Sequence, residues 1–239
     1  MSLIKLLTRI YHNKSSIHLF LAPIRHKLTA FSNFTLPNHV YQARGTTERN
    51  RRPQLFRAIQ EIITDETNTK LLSFGCSTGE EVADLLFYLK KTHIYGTDIN
   101  RQRLNKAKTL VNNTRVKFFR SSPENLKENG PFDMILACSV FIRHPEDTHT
   151  NDLNRIYPFS AFEQGIRLLV ENLKFRGLLV IQNANYRVLD TDIAGSLKCL
   201  QHPNVIQSSN IPLFDKNGHR LPSSKYNEQI FQLEKQIAY

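Results

Sequence analysis

The stretch Lys70 to Asn100, KLLSFGCSTGEEVADLLFYLKKTHIYGTDIN, combines two apolar runs with a glycine-bracketed turn and a helical pattern. The run that ends at Phe74 predicts a short buried strand, and the segment Gly75 to Gly79 interrupts it, because glycines at both ends favour a tight turn. From Glu80 onward the apolar residues recur at helical spacing. The stretch therefore predicts a strand, a loop and a helix, with bare backbone at the loop where a ligand can approach.

The second apolar run, His93 to Asp98, predicts the next parallel strand, and it ends in a carboxylate. Asp98 lies 23 residues after Gly75. In nucleotide-binding βαβ units, an acidic residue about 20 residues beyond the glycine loop accepts hydrogen bonds from a ribose diol. We therefore predict that Asp98 binds a ribose. A competing interpretation makes Asp98 the N-terminal cap of a helix that begins at Arg101.

Two carboxylates, Glu80 and Glu81, follow the loop directly, and they would repel a pyrophosphate at this helix start. The pattern favours a cationic ligand that carries a ribose. Here the sequence resembles the class I S-adenosylmethionine (SAM)-dependent methyltransferases, and FGCSTGEE is similar to the first motif of the chemotaxis receptor methyltransferases. The resemblance implies SAM as the cofactor. The alternative is an ordinary βαβ unit with a glycine turn.

The same resemblance implies which residues contact the cofactor. Thr47 and Arg51 match a spacing that precedes the core of the chemotaxis receptor enzymes and helps hold the methionine carboxylate of SAM; the alternative is a charged first turn of helix 53–63. Ser122 stands where related enzymes have an Asp that meets the adenine amino group. The complete predicted cofactor-binding set is Thr47, Arg51, Gly75, Cys76, Ser77, Thr78, Gly79, Glu80, Glu81, Asp98, Ile99, Ser122, Pro123, Glu124, Ala137 and Cys138.

Polar residues also follow the fourth and fifth predicted strands, at the edge where ligands bind in open α/β sheets. After the fourth strand we predict His144 as a catalytic residue that takes a proton from the methyl acceptor, against the alternative of a satisfied polar group. After the fifth strand, Asn183 and Asn185 are predicted to bind substrate and Tyr186 to act in catalysis. The alternative there is a turn satisfied by its own amides.

The predicted fold is α/β, with a Rossmann-like, seven-stranded, mainly parallel sheet. A C-terminal antiparallel hairpin over residues 211–233 is indicated by Asn217-Gly218 between apolar runs. We divide the chain into a basic helical N-terminal extension or cap, residues 1–46, and a methyltransferase domain, residues 47–239.

The net charge of +11 is concentrated near the N-terminus. Residues 1–60 hold ten basic and one acidic residue, whereas residues 61–239 hold 22 basic and 20 acidic residues. Four interpretations follow: a helical cap over the active site, an organellar transit peptide, a membrane-surface contact by residues 1–30, or a phosphate-binding segment for nucleic acid. No apolar run approaches the length of a transmembrane span. Three cysteines without metal-ligand spacing predict no metal site and a cytoplasmic protein.

The sequence thus predicts a SAM-dependent methyltransferase that acts on an oxygen, nitrogen or carboxylate of a small molecule or protein. Two alternatives remain open. The first is an RNA or DNA methyltransferase that uses the basic N-terminal segment, and the second is a non-catalytic SAM-binding module. The identity of the methyl acceptor does not follow from the sequence.

Overall fold

The computed structural model describes residues 47–143, 152–203, 211–222 and 229–235. The helices of this part of the chain are α1 (Pro53–Ile62), α2 (Glu80–Tyr88), α3 (Arg101–Leu110), α4 (Pro123–Asn129) and α5 (Phe159–Glu171). The strands are β1 (Lys70–Phe74), β2 (His93–Asp98), β3 (Val116–Arg120), β4 (Phe132–Cys138), β5 (Leu173–Gln182), β6 (Leu197–Leu200) and β7 (Ile230–Leu233).

One seven-stranded sheet organises these residues, in the order β3-β2-β1-β4-β5-β7-β6. Strands β1 to β5 pair in parallel, and β7 runs antiparallel to both β5 and β6. Each connection between consecutive parallel strands contains a helix, as parallel pairing requires. The predicted Rossmann-like, mainly parallel sheet with antiparallel C-terminal strands is confirmed.

Both faces of the sheet are buried, because neighbouring residues of a strand project to opposite sides. On β1, Leu71 packs with residues of α1, α2 and α3, whereas Leu72 packs with residues of α4 and α5. Neither leucine side chain is exposed to solvent. With the two faces covered, the carboxyl ends of the parallel strands form the edge that remains for a ligand.

The predicted hairpin over residues 211–233 is only partly correct. Strand β7 does join the sheet, but its antiparallel neighbours are β5 and β6 and not residues 211–214. The Asn217-Gly218 turn forms, since Gly218 has a φ of 80° and Phe214 bridges to Arg220. Phe214 is fully buried in the main core cluster. The turn signal reports a local chain reversal, and packing of Phe214 against the core keeps the segment out of the sheet.

A groove of about 370 Å³ opens at the amino-terminal edge of the sheet, opposite the ligand edge, and includes Asp133 and Lys174 in its lining. Their side chains form an ion pair at 2.8 Å, and Asp133 also accepts the backbone N–H of Lys70 at 2.8 Å. These contacts tie the first residues of β1, β4 and β5 together, so we interpret this end of the sheet as structural.

The predicted extension over residues 1–46 lies outside the described residues, as does the predicted membrane contact of residues 1–30. The domain division therefore stays a prediction. Among the helices that the structure describes, none has the length and apolar character needed to cross a membrane.

Candidate active site

The loop between β1 and α2 reverses direction through three residues with left-handed backbone. The φ angles are 78° at Gly75, 52° at Ser77 and 95° at Gly79. The N–H groups of Gly75 and Cys76 both donate to the carbonyl of Thr97, at 2.8 and 2.9 Å, which fastens the loop to β2. The loop is thereby held over the carboxyl ends of β1 and β2.

Both glycines of the loop are required by contacts within the chain itself. A Cβ atom added to Gly75 would lie 2.6 Å from Cγ2 of Val140, and one added to Gly79 would lie 2.9 Å from Cβ of Ala107. The prediction that these glycines open space for a ligand is thus incomplete. Their lack of a side chain also allows the loop to pack against Val140, which follows β4, and against Ala107 of α3.

Asp98 lies at the tip of β2 and is only 6% exposed. One carboxylate oxygen accepts the N–H of Ser77 at 3.0 Å, and the other accepts the N–H of Asn100 at 2.8 Å. Asn100, and not Asp98, caps α3, because its side-chain oxygen accepts the N–H groups of Gln102 and Arg103 at 2.9 and 3.1 Å. The geometry removes the capping interpretation of Asp98 and leaves its carboxylate beside the glycine loop.

Glu81, in the first turn of α2, is a buried carboxylate that reaches the ends of β1 and β4. It accepts a hydrogen bond from the hydroxyl of Ser73 at 2.7 Å and another from the thiol of Cys138. Burial raises the pKa of Glu81, while the nearby Arg52 and the two hydrogen bonds oppose that rise. Glu81 is therefore a carboxylate fixed in position beneath the loop.

The other side chains of the loop add to this acidic environment. The hydroxyl of Thr78 donates to both carboxylate oxygens of Glu80, at 2.8 and 2.7 Å. Cys76 is 2% exposed, and burial together with the charges of Asp98 and Glu81 raises the pKa of its thiol. Cys76 is thus a neutral, packed thiol at neutral pH, surrounded by carboxylates.

Arg52, the residue after the predicted Arg51, reaches this site with its guanidinium. Its Nη2 donates to the hydroxyl of Ser139 at 2.7 Å, and its Nη1 lies 4.0 Å from a carboxylate oxygen of Glu81. The Arg52 side chain is 12% exposed. Arg51, the predicted residue, is exposed, and Thr47 is partly exposed.

The position of Arg52 follows from how the preceding residues dock on α2. Arg49 pairs with Asp84 at 2.8 Å, and the N–H of Asn50 donates to the same carboxylate at 2.6 Å. Asn50 has a φ of 53°, so the backbone turns sharply there. Pro53 is the feature of the sequence that could have identified Arg52, because proline favours the first turn of a helix and Arg52 directly precedes α1.

The ends of β4 and β5 meet at Ser139 and Asn183, both in left-handed backbone with φ of 56° and 58°. The N–H of Ser139 donates to the carbonyl of Gln182 at 2.7 Å, and Nδ2 of Asn183 donates to the hydroxyl of Ser139 at 3.0 Å. Oδ1 of Asn183 and Oε1 of Gln182 are buried and have no hydrogen-bond donor within the described part of the chain. The two amide oxygens are therefore buried acceptors at the ends of β4 and β5 that the described residues leave unpaired.

Two predicted site residues are instead core residues. Asn185 is fully buried: Oδ1 accepts the N–H of Arg143, and Nδ2 donates to the carbonyl of Pro212 at 3.1 Å. Tyr186 is also fully buried; its hydroxyl donates to the carbonyl of Tyr157 at 2.7 Å, and burial raises its pKa. This burial argues against the predicted substrate role of Asn185 and the predicted catalytic role of Tyr186, because both polar groups are already paired within the core.

The predicted adenine-side residues form the start of α4. The hydroxyl of Ser122 accepts the N–H of Asn125 at 3.2 Å and so caps the helix, with Pro123 in its first turn. Glu124 is exposed, and its pKa is lowered by a hydrogen bond from its own backbone N–H and by one from Ser122. Ser122 keeps a partly exposed hydroxyl at this edge.

Three further predicted residues have different outcomes. Ile99 is partly exposed just beyond β2, and Ala137 is buried within β4. His144 lies outside the described residues, so its catalytic role stays a prediction. Among the residues that the structure describes, no group of three His, Cys, Asp or Glu side chains is arranged to hold a metal ion.

A family model described as a methyltransferase domain matches residues 72–155. No curated protein matches the chain. Solved structures resemble it at low identity. The MycE methyltransferase from the mycinamycin biosynthetic pathway, in complex with Mg, SAH and mycinamycin VI, is 17% identical with a TM-score of 0.37, over 55% of this chain and 31% of that one.

Two methyltransferases whose names refer to sugars show similar identities and TM-scores. SAM-bound CalS10, an amino pentose methyltransferase from Micromonospora echinaspora, is 14% identical with a TM-score of 0.42, over 73% of this chain and 62% of that one. The sugar N-methyltransferase KedS8 from Streptoalloteichus is 15% identical with a TM-score of 0.42, over 68% and 59%. The chain spans less than two thirds of the length of each of these three proteins.

The residues matched by the family model run from β1 to the short turn that follows β4. They include the glycine loop, Asp98 and Ser139, which are the parts of the ligand edge described above. The sheet order is that of the class I methyltransferases, with an antiparallel strand inserted next to β5. Residues 72–155 thus match a methyltransferase domain, within a sheet that has a Rossmann-like methyltransferase fold.

Proposed function

We propose that the chain transfers a methyl group from SAM to an oxygen, nitrogen or carboxylate acceptor on a small molecule or protein. The observation that carries this proposal is the buried carboxylate of Asp98 beside the glycine loop. A carboxylate so placed suits a ribose diol, and the neighbouring Glu80 and Glu81 suit a cationic ligand and not a pyrophosphate.

The charges of the site fit the different parts of SAM. Each oxygen of Asp98 accepts one backbone N–H and keeps lone pairs for the ribose hydroxyls. Glu80 and Glu81 would attract the ammonium and sulfonium groups. Arg52, in place of the predicted Arg51, would bind the carboxylate, a task suited to a forked guanidinium.

Bound SAM supplies a methyl group that is already activated. The chain's own residues must then align the nucleophile and exclude water. Ser139 accepts hydrogen bonds from both Arg52 and Asn183, so its own proton is directed to another acceptor. We assign Ser139, Asn183 and Gln182 to acceptor binding, because they lie together where β4 and β5 end at the ligand edge.

The first motif, FGCSTGEE, is similar to that of the chemotaxis receptor methyltransferases and supports a carboxylate among the acceptors. Methylation of RNA is the second candidate. It is favoured by a run of basic residues between Arg101 and Arg120 that lies beside the site.

The test is transfer of a methyl label from SAM to cell-extract fractions separated into proteins, nucleic acids and small molecules. Label in the protein or small-molecule fraction supports the proposal, and label in the nucleic-acid fraction favours the second candidate. SAM binding by calorimetry without label in any fraction would leave a non-catalytic SAM-binding module. No binding at all would remove the cofactor assignment for this chain.

A further inference from the structure

Residues 99–123 form the most strongly basic segment of the chain outside the N-terminal region. It contains seven basic residues and no acidic residue. Four of the seven lie on α3, whose sequence is RQRLNKAKTL, and two lie on β3. The rest of the chain from residue 61 holds 15 basic and 20 acidic residues, a net charge of −5, so this segment stands out against its surroundings.

Six of the seven cations make no ion pair within the described residues, and we call them the α3–β3 surface: Arg101, Arg103, Lys106, Lys108, Lys117 and Arg120. All are exposed except Arg103, which is partly exposed. The seventh, Arg115, donates to the carbonyls of Leu89 and Thr92 at 3.1 and 2.9 Å and is structural. Elsewhere cations do have carboxylate partners, as Lys174 has Asp133.

The surface begins at the rim of the cofactor site and extends along the edge of the sheet. β3 is an edge strand, and Arg120 at its end is in register with Asp98. Arg101 opens α3 directly after the residues that flank Asp98. A ten-residue helix is about 15 Å long, so a ligand that contacts this surface would be extended.

The chemistry of the surface favours a phosphate backbone over a protein or a bilayer. Protein interfaces and membrane contacts depend on exposed apolar anchors, and along this surface the large exposed apolar residue is Leu110 alone, among the residues described. Phosphates need only the cations, because binding releases counterions. Phe118 on the edge strand lies on the same face of the sheet as α3 and is partly exposed, and such a ring can stack an unpaired base.

We propose that the α3–β3 surface docks single-stranded RNA and delivers it to the rim of the methyl-transfer site. The docking step lies outside the cofactor crevice, and the delivery step rests on methyl transfer to RNA, the second candidate function above. It also differs from binding by the basic N-terminal segment, because the cations involved belong to the folded sheet.

The experiment measures binding of a fluorescent single-stranded RNA of about 20 nucleotides to the full chain by anisotropy, across a range of salt concentrations. The test variant replaces Arg103, Lys106 and Lys108 by Gln. The control replaces Lys91, Lys198 and Lys216 by Gln, which changes the net charge equally at exposed positions elsewhere.

We expect the test variant to bind RNA at least about 10-fold more weakly at 0.1 M salt and the control to bind like the unmodified chain. Each phosphate contact contributes about −0.7 to the slope of log affinity against log salt for single strands, so the test variant should lose about 2 from that slope. SAM affinity should be the same in all three proteins, which separates this result from a failure of the cofactor assignment.

Three outcomes would overturn the proposal. One is no RNA binding at 0.05 M salt. Another is equal weakening in the test and control variants, or weakening in neither, which would place the binding elsewhere in the chain. The third is tighter binding to duplex DNA or to vesicles rich in anionic lipid than to single-stranded RNA, with the same dependence on Arg103, Lys106 and Lys108.

Discussion

At the scale of single residues, Asp98 has a structural role and a proposed ligand-binding role. Its oxygens accept the N–H groups of Ser77 and Asn100, so the carboxylate already orders the glycine loop without a ligand. We therefore expect a mutation there to affect both stability and cofactor binding. The neighbouring Asn100 provides a control, because its side chain caps α3 and is not part of the proposed cofactor site.

We expect Asp98→Ala to weaken SAM binding by about 2 to 4 kcal/mol, or roughly 30-fold to several hundred-fold, because two charge-assisted hydrogen bonds to the ribose are lost. The melting temperature should also fall, since the buried N–H of Ser77 loses its acceptor. Asn100→Ala should cost about 1 kcal/mol of stability and leave SAM affinity within about threefold. Calorimetry and thermal melts on both variants check this, and an unchanged SAM affinity for Asp98→Ala would refute the ribose assignment.

Arg52 and Arg51 form a second matched pair. Arg52 contacts Ser139 and lies near Glu81, whereas Arg51 is exposed. We expect Arg52→Gln to weaken SAM binding about 10-fold or more, because a charge-assisted contact to a carboxylate is worth at least about 1.4 kcal/mol. Arg51→Gln should change it less than about threefold. The reverse ranking in a calorimetric titration would return the role to Arg51 and its sequence pattern.

At the scale of elements, the start of α2 depends on one glycine. Gly79 caps α2 in left-handed conformation and faces Ala107 on α3. We expect Gly79→Ala to destabilise the fold by about 2 kcal/mol, since left-handed backbone costs an L-residue about 1 to 2 kcal/mol and the new methyl would also crowd α3. Gly195→Ala is the control, because nothing lies within 4 Å of its added Cβ and its φ is not left-handed. Similar denaturant midpoints for the two variants would contradict this account.

Asp65 joins two connections between elements, the one after α1 and the one between α2 and β2. Its carboxylate accepts the N–H groups of Lys90, Lys91 and Thr92 at 2.8, 3.0 and 2.8 Å, and the Thr92 hydroxyl at 2.7 Å. Burial alone would raise its pKa, but these hydrogen bonds outweigh burial and lower the pKa from 3.8 to about 2.

The pH dependence of stability follows from that shift. Because the folded pKa of Asp65 lies below the unfolded value, its stabilisation is present above about pH 4 and is lost as the pH falls toward 2. Asp65→Asn should lower the melting temperature at pH 7 by roughly 2 to 4 °C, about 1 kcal/mol, and the gap to the unmodified chain should narrow as the pH falls from 4 to 2. Thermal melts of both proteins at several pH values measure this difference in melting temperature. A difference that widens in acid would exclude this role of Asp65.

At the scale of the whole molecule, the parallel half of the sheet could be predicted because each strand there is an apolar run followed by a helix-period pattern. β6 could not, since Leu197–Leu200 is short and half exposed, while the stronger turn signal at Asn217-Gly218 belongs to a segment outside the sheet. Local turn chemistry does not determine which segment pairs with a strand, because that choice depends on long-range packing.

The positions of the glycine loop and of Asp98 could also be predicted from the sequence. The loop and Asp98 are local to one βαβ unit, so their spacing in sequence fixes their positions in space. The sequence did not single out Arg52, and it placed Asn185 and Tyr186 at the site although both are buried. Whether a side chain points into a crevice or into the core depends on residues far away in sequence, such as Pro212 for Asn185.

Cofactor binding should stabilise the whole fold, because the proposed contacts come from loops after several strands of one cooperative sheet. We predict micromolar affinity for SAM and S-adenosylhomocysteine, about −7 to −8 kcal/mol. At a concentration 100-fold above the dissociation constant, either ligand should add about 2.7 kcal/mol to the free energy of unfolding, or roughly 5 to 11 °C in melting temperature. Asn100→Ala should show the full shift from a lower starting point, whereas Asp98→Ala should show much less at the same concentration. ATP should not raise the melting temperature of either variant, because Glu80 and Glu81 repel its phosphates. A rise with ATP as large as that with SAM would mean that the site recognises only the nucleoside.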